Sequence, residues 1–178
     1  MSTTVRPDNL KAALDAKLAA AMSQLVELRE ADEPRATLHL NPREIVGTFL
    51  LYASAVYPII DTFGRAQAGD LQFGAWYAQW IEKLGDADRA LWKQLRDQRV
   101  RQERGQAAAL IETEISVASD PSITGRQPVL GTRADVRKQL FRFAAFPDRA
   151  AGDVCDDYLR LARRFVDDFV RDYARFLP

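Results

Sequence analysis

The chain has 178 residues, 47% of them hydrophobic, with 25 Lys plus Arg against 25 Asp plus Glu, enough to build one packed core unaided. Zero net charge excludes a global field that would concentrate nucleic acid, anionic membrane or acidic ligands, so any such partner must be met by a local patch. One cysteine, Cys155, and one histidine, His39, rule out an intrachain disulfide and leave too few ligands for structural zinc.

The composition and the lack of linkers predict a single helical domain over residues 1–178. Met1 to Asp8 lacks the apolar stretch of a signal peptide, and a lone free thiol suits a reducing compartment, so the expectation is a cytoplasmic protein. Leu10, Leu14, Leu18, Met22, Leu25 and Val26 recur at three- and four-residue steps and predict a first helix from Pro7-Asp8 to about Arg29. Thr37-Leu38-His39-Leu40 alternates briefly, as an edge strand or extended linker does.

Asn41-Pro42-Arg43-Glu44 is a helix start, with Asn as cap, Pro at the first helical position and Glu three residues after the cap. The second helix, with Ile45, Phe49, Leu50, Val56, Ile59, Ile60 and Phe63, is apolar nearly all round and should be the central one, kinked at Pro58. Its uncharged run Ile45–Ile60 is shorter than the roughly 20 residues a bilayer needs, so no membrane span is expected. A third helix opens at Asp70, and its Phe73, Trp76, Tyr77, Trp80, Ile81 and Leu84 read as core packing.

The fourth helix, Asp86 to Arg104, loses its apolar stripe halfway. Leu91 and Leu95 set the inward face, and Gln98, Arg99 and Gln102 continue it. A buried guanidinium needs a carboxylate, a ligand or a dimer partner. Five cations, Lys93, Arg96, Arg99, Arg101 and Arg104, face two acids on this helix, and arginine forks suit phosphate oxygens. Arg96, Gln98, Arg99, Gln102 and Arg104 are therefore the candidate binding residues.

Leu110 to Val117 alternates and reads as a half-buried strand. Turn residues near Asp120-Pro121 and Thr124-Gly125 suggest a return through Gln127-Pro128-Val129-Leu130, a small hairpin inserted at about residues 107–131. Thr132-Arg133-Ala134-Asp135 resembles a capping box opening a short helix through Val136, Leu140 and Phe143 to Pro147. The final helix runs from Arg149 or Asp153 to Leu177, with a seam of Val154, Tyr158, Leu161, Phe165, Phe169, Tyr173 and Phe176. Interleaved Arg and Asp predict Arg163–Asp167, Arg164–Asp168 and Asp167–Arg171 ion pairs on its outer face. The fold class is all-α, an up-and-down bundle of five to six helices with a small β-hairpin insert.

No catalytic set is legible. His39 is the only imidazole, Cys155 sits beside a seam position, no Glu-x-x-His pair marks a carboxylate-bridged metal site, and no glycine-rich phosphate loop occurs, so no cofactor and no metal are expected.

The segment Leu91-Trp92-Lys93-Gln94-Leu95-Arg96-Asp97-Gln98-Arg99-Val100-Arg101-Gln102-Glu103-Arg104-Gly105 resembles the late helix of HEPN-like bundles. The order of long helices, arginine helix, strand-bearing insert and closing helix, Val154 to Leu161, is similar too, over roughly residues 41–176. In that superfamily an Arg, followed after four to six residues by a His, lines an RNA-cutting cleft at a dimer interface. Here Arg104, Gly105 and Gln106 stand in the His positions counted from Arg99, and Arg101, Gln102 and Glu103 in those counted from Arg96. The resemblance thus implies the architecture, a homodimer and a phosphate-binding cleft, without the RNase mechanism.

Three readings follow. The first is a non-catalytic HEPN-like module binding RNA or an acidic protein partner, the second a structural, oligomerising module of a larger assembly with no ligand, and the third a residual ribonuclease.

Overall fold

The computed structural model describes residues 7–31, 41–103, 110–117 and 136–173. Five helices pack together: α1 (Pro7–Ala31), α2 (Pro42–Ala68), α3 (Asp70–Glu82), α4 (Asp86–Glu103) and α5 (Ala151–Asp172). Between α4 and α5 lie β1 (Leu110–Val117) and β2 (Val136–Phe143), paired antiparallel with Leu110 opposite Phe143 and Val117 opposite Val136.

The start of α2 follows from its cap: Asn41 is extended, its side-chain oxygen accepts the Arg43 amide at 3.1 Å, and Pro42 enters the helix without an orphan donor. α2 is central, packing against α1, α3, α4 and α5. It buries Ile45, Phe49, Leu50, Val56, Ile60 and Phe63, while Ile59 is half-buried. By length and composition it could also cross a membrane, but half of its apolar window is buried against the other helices, as a core helix's is. The helix runs through Pro58 unbroken. Gly64 lets α3 come close: a Cβ there would sit 2.2 Å from the buried Phe73 ring.

The aromatic stripe of α3 is core packing, as expected. Phe73 and Trp80 are buried, Trp76 and Tyr77 are half-buried, and the stripe interlocks with Phe165, Phe169 and Tyr173 at the end of the chain. The α5 seam is likewise buried from Val154 to Tyr173, whereas Phe176 lies outside the described residues.

Several expectations are corrected. In α1 the inward stripe is Leu10, Leu14, Leu18, Ala21, Leu25 and Leu28; Met22 and Val26 face out, 36% and 49% exposed. Of the three predicted ion pairs on α5, Arg164–Asp168 forms at 3.7 Å, and Arg171 meets Asp168 and Asp172 rather than Asp167. The second strand is Val136–Phe143, where a short helix was expected, so the paired segments span residues 110–143 rather than 107–131. Val136, Leu140 and Phe143 fit a helical face, but Phe141-Arg142-Phe143 also alternates. Phe141 and Phe143 are both buried, and β2 packs against α5, so pairing with β1 and burial of two rings outweigh a short helix's weak propensity. Thr37–Leu40, His39, Gln127–Leu130 and Arg104 lie outside the described residues.

Candidate functional site

The polar half of α4 packs beside the proline of α2. Proline has no amide hydrogen, so Pro58 leaves the carbonyl four residues back, that of Ser54, without its helical partner. Arg99 fills the gap, its Nη1 donating to the Ser54 carbonyl oxygen at 3.1 Å. The Ser54 hydroxyl, on a residue only 1% exposed, is 3.0 Å from the buried Tyr158 hydroxyl of α5. One residue of α2 is thereby gripped by α4 through its carbonyl and by α5 through its side chain. The partner that a half-buried Arg99 demands includes a backbone carbonyl, which the sequence reading did not consider.

One turn earlier, the Arg96 guanidinium lies over the Tyr57 ring and reaches the Tyr77 hydroxyl. Its carbon is 3.6 Å from the Tyr57 ring centroid and 5.9 Å from that of Tyr77, and its Nη1 donates to the Tyr77 hydroxyl oxygen at 2.5 Å. Trp92 Nε1 donates to the same oxygen at 3.0 Å. Tyr57 in turn reaches toward Asp61 at 3.5 Å, the outer limit of a hydrogen bond. Stacking fixes the guanidinium plane and leaves its edge as the direction for further donors.

Both phenols, the buried Tyr158 and the half-buried Tyr77, have their pKa raised. Burial pushes Tyr158 up to about 12, more than Ser54, Arg96 and Arg99 pull it down. Burial raises Tyr77 as well, against the lowering effect of the Trp92 bond and the Arg96 charge. Cys155 is fully buried, and burial with the Asp156 charge nearby drives its thiol far above the reactive range.

Of the five candidate residues, the structure thus brings Arg96, Gln98 and Arg99 to one region of the bundle. Gln98 is 7% exposed and has an interaction partner. Gln102 lies on the described helix, but its side chain and the whole of Arg104 are outside the described residues. Sequence reasoning missed Ser54, Tyr57, Tyr77, Trp92 and Tyr158. Pro58 pointed to Ser54 through the missing i,i+4 bond; nothing in the spacing pointed to the tyrosines.

Compared with protein-family models, curated proteins and solved structures, this chain matches none. The HEPN-like resemblance therefore stands on the residues quoted for it.

Elsewhere several charged groups of the described residues are already paired. Trp76 Nε1 donates to Asp172 at 2.8 Å and Trp80 Nε1 to Asp168 at 3.0 Å, a two-rung ladder between α3 and α5 with Arg171 joining both carboxylates at 3.0 and 2.8 Å. A surface depression of about 350 Å³ between α4 and α5 is lined by Asp88, Asp157, Arg160, Leu161 and Arg164. In it Asp157 is bridged by Arg149, at 2.5 Å, and by Arg160. Such pre-paired charges offer an incoming ligand little.

Proposed function

We propose that the protein is a non-catalytic, HEPN-like binding module, cytoplasmic and homodimeric, that contacts RNA phosphate through its arginine helix. The observation that carries this reading is Arg96. Its guanidinium is held on a tyrosine face with no carboxylate across it among the described residues, and an arginine so held keeps its charge for a partner. The neutral, buried Cys155 and Tyr158 support the non-catalytic part, since neither is ionised to act as nucleophile or base. Leu51 and Val100, both exposed and each within a turn of the Arg99–Ser54 contact, supply apolar surface for the proposed dimer.

The test is a gel with labelled single-stranded and hairpin RNA at low and moderate salt, scored for retardation and cleavage. Salt-sensitive retardation without cleavage, lost in Arg96→Ala, is the expected result. Retardation that ignores salt, or none at all, refutes it. The structural-module reading is favoured by Arg99, which is spent on the Ser54 carbonyl. Under that reading Arg99→Met unfolds the protein more easily, a stable oligomer forms, and RNA is ignored.

A further inference from the structure

We propose that Tyr77 and Arg96 together form a subsite for a phosphate-type oxyanion, with the tyrosine hydroxyl acting as a donor to the bound group. The inference rests on reading Arg96 as facing a ligand, but its decisive step is a count of hydrogens on Tyr77.

Arginine and indole N–H groups can only donate. The Tyr77 oxygen therefore accepts from both Arg96 Nη1 and Trp92 Nε1, and its own hydrogen has to go to a third group. Among the described residues there is no acceptor for it. Burial keeps the phenol protonated, so that hydrogen persists at every pH the protein meets near neutrality. Arg96 likewise uses one of its five N–H donors on Tyr77, while its face is covered by Tyr57. The remaining donors lie along the guanidinium edge. Tyr77, Tyr57 and Arg96 are each partly exposed, none of them fully buried in the core.

Adjacent O–H and N–H donors on a rigid cation match an acceptor with several oxygens and a negative charge. Phosphate fits better than a neutral carbonyl because one oxygen can take the phenol hydrogen while another meets the fork of the guanidinium. Trp92 carries the information inward: any group that polarises the Tyr77 hydroxyl alters the bond its oxygen accepts from the indole.

That coupling supplies the measurement. The three indole N–H groups have three different acceptors, Asp172 for Trp76, Asp168 for Trp80 and the Tyr77 hydroxyl for Trp92. In the ¹⁵N-labelled full chain, titration with inorganic phosphate at constant ionic strength should shift the Trp92 indole signal saturably, with the Trp76 and Trp80 signals stationary. A parallel titration with dimethyl phosphate separates a free phosphate group from a phosphodiester backbone, and a saturable response to either supports the subsite.

Arg96→Gln should weaken the binding by about tenfold or more, the loss of a charge-assisted bond, and unmoved Trp76 and Trp80 signals would show that this variant is folded. Tyr77→Phe, followed on the Arg96 Nε–H signal, should weaken it as well. A Trp92 signal that stays put, that responds equally to chloride, or that titrates unchanged in Arg96→Gln overturns the proposal. RNA retained without a Trp92 response sinks this subsite alone; phosphate bound saturably without RNA retention sinks the RNA reading alone.

Discussion

If Arg99 compensates for Pro58, the two residues must be energetically coupled although they lie on different helices. Arg99→Met removes the donor but keeps an apolar stem of similar length, so the chief loss is the bond to a buried carbonyl that has no helical partner. Leaving such a group unsatisfied costs about 1–3 kcal/mol, which for a chain of this size lowers the Tm by roughly 2–4 °C per kcal/mol. Pro58→Ala restores an amide hydrogen four residues after Ser54. In that background the carbonyl has a second donor, and Arg99→Met should cost less by about 1 kcal/mol. Other interactions of Arg99 are lost in both backgrounds and cancel in the cycle. The assay is urea unfolding of the four proteins followed by far-UV circular dichroism. A coupling energy below roughly 0.5 kcal/mol, the usual limit of additivity, refutes the compensation and leaves the Arg99 contact incidental.

Asp172 gives a pH prediction. Burial works against its charge, but the Trp76 indole and Arg171 outweigh that and hold its pKa below the usual carboxylate value, so it stabilises the fold above about pH 4 and that contribution fades as pH falls through its lowered folded value. Asp172→Asn should flatten the acid limb of a Tm-against-pH profile, and an unchanged limb would count against the ladder. Gly64→Ala should destabilise by about 1–3 kcal/mol through overpacking, because its Cβ meets Phe73, while Gly74→Ala, inside α3 with nothing within 4 Å, should stabilise by roughly 0.5–1 kcal/mol; thermal melts that rank the two the other way would refute the packing argument. Cys155 should resist a thiol reagent in the native state and react on unfolding; prompt native labelling would contradict its burial.

The helices were legible because each is long enough for its period to show. Asn41-Pro42 marked the start of α2, the uncharged Ile45–Ile60 run marked it as central, and β1 was placed at Leu110–Val117 by alternation alone. The errors fall where two periods compete over a short span. Met22 and Val26 continue a plausible i,i+4 stripe on α1, but a helix turns 100° per residue and a strip of buried positions cannot include them together with Ala21 and Leu28. In Val136–Phe143 the helical spacing of Val136, Leu140 and Phe143 coexists with the alternation of Phe141 and Phe143. Only a partner strand decides between them, and that partner begins 33 positions before the far end of β2, at Leu110.

The candidate site shows the limit of such reading more sharply. Its inward polar face on α4 was visible as a break in periodicity, and Arg99 was visible as a residue that needed a partner. That partner is a main-chain oxygen on α2, exposed by a proline with no side-chain chemistry of its own, so no pairing of residue types could have named it. The same applies to Arg96, whose surroundings are the ring of Tyr57 from α2, which no pattern singled out, and that of Tyr77 from α3, which read as core. The candidate site in this bundle is thus shaped by how neighbouring helices pack against the polar half of α4. Arg99 and Arg96 stand three positions apart with the same chemistry, and packing gives one to a backbone carbonyl and sets the other on a tyrosine ring.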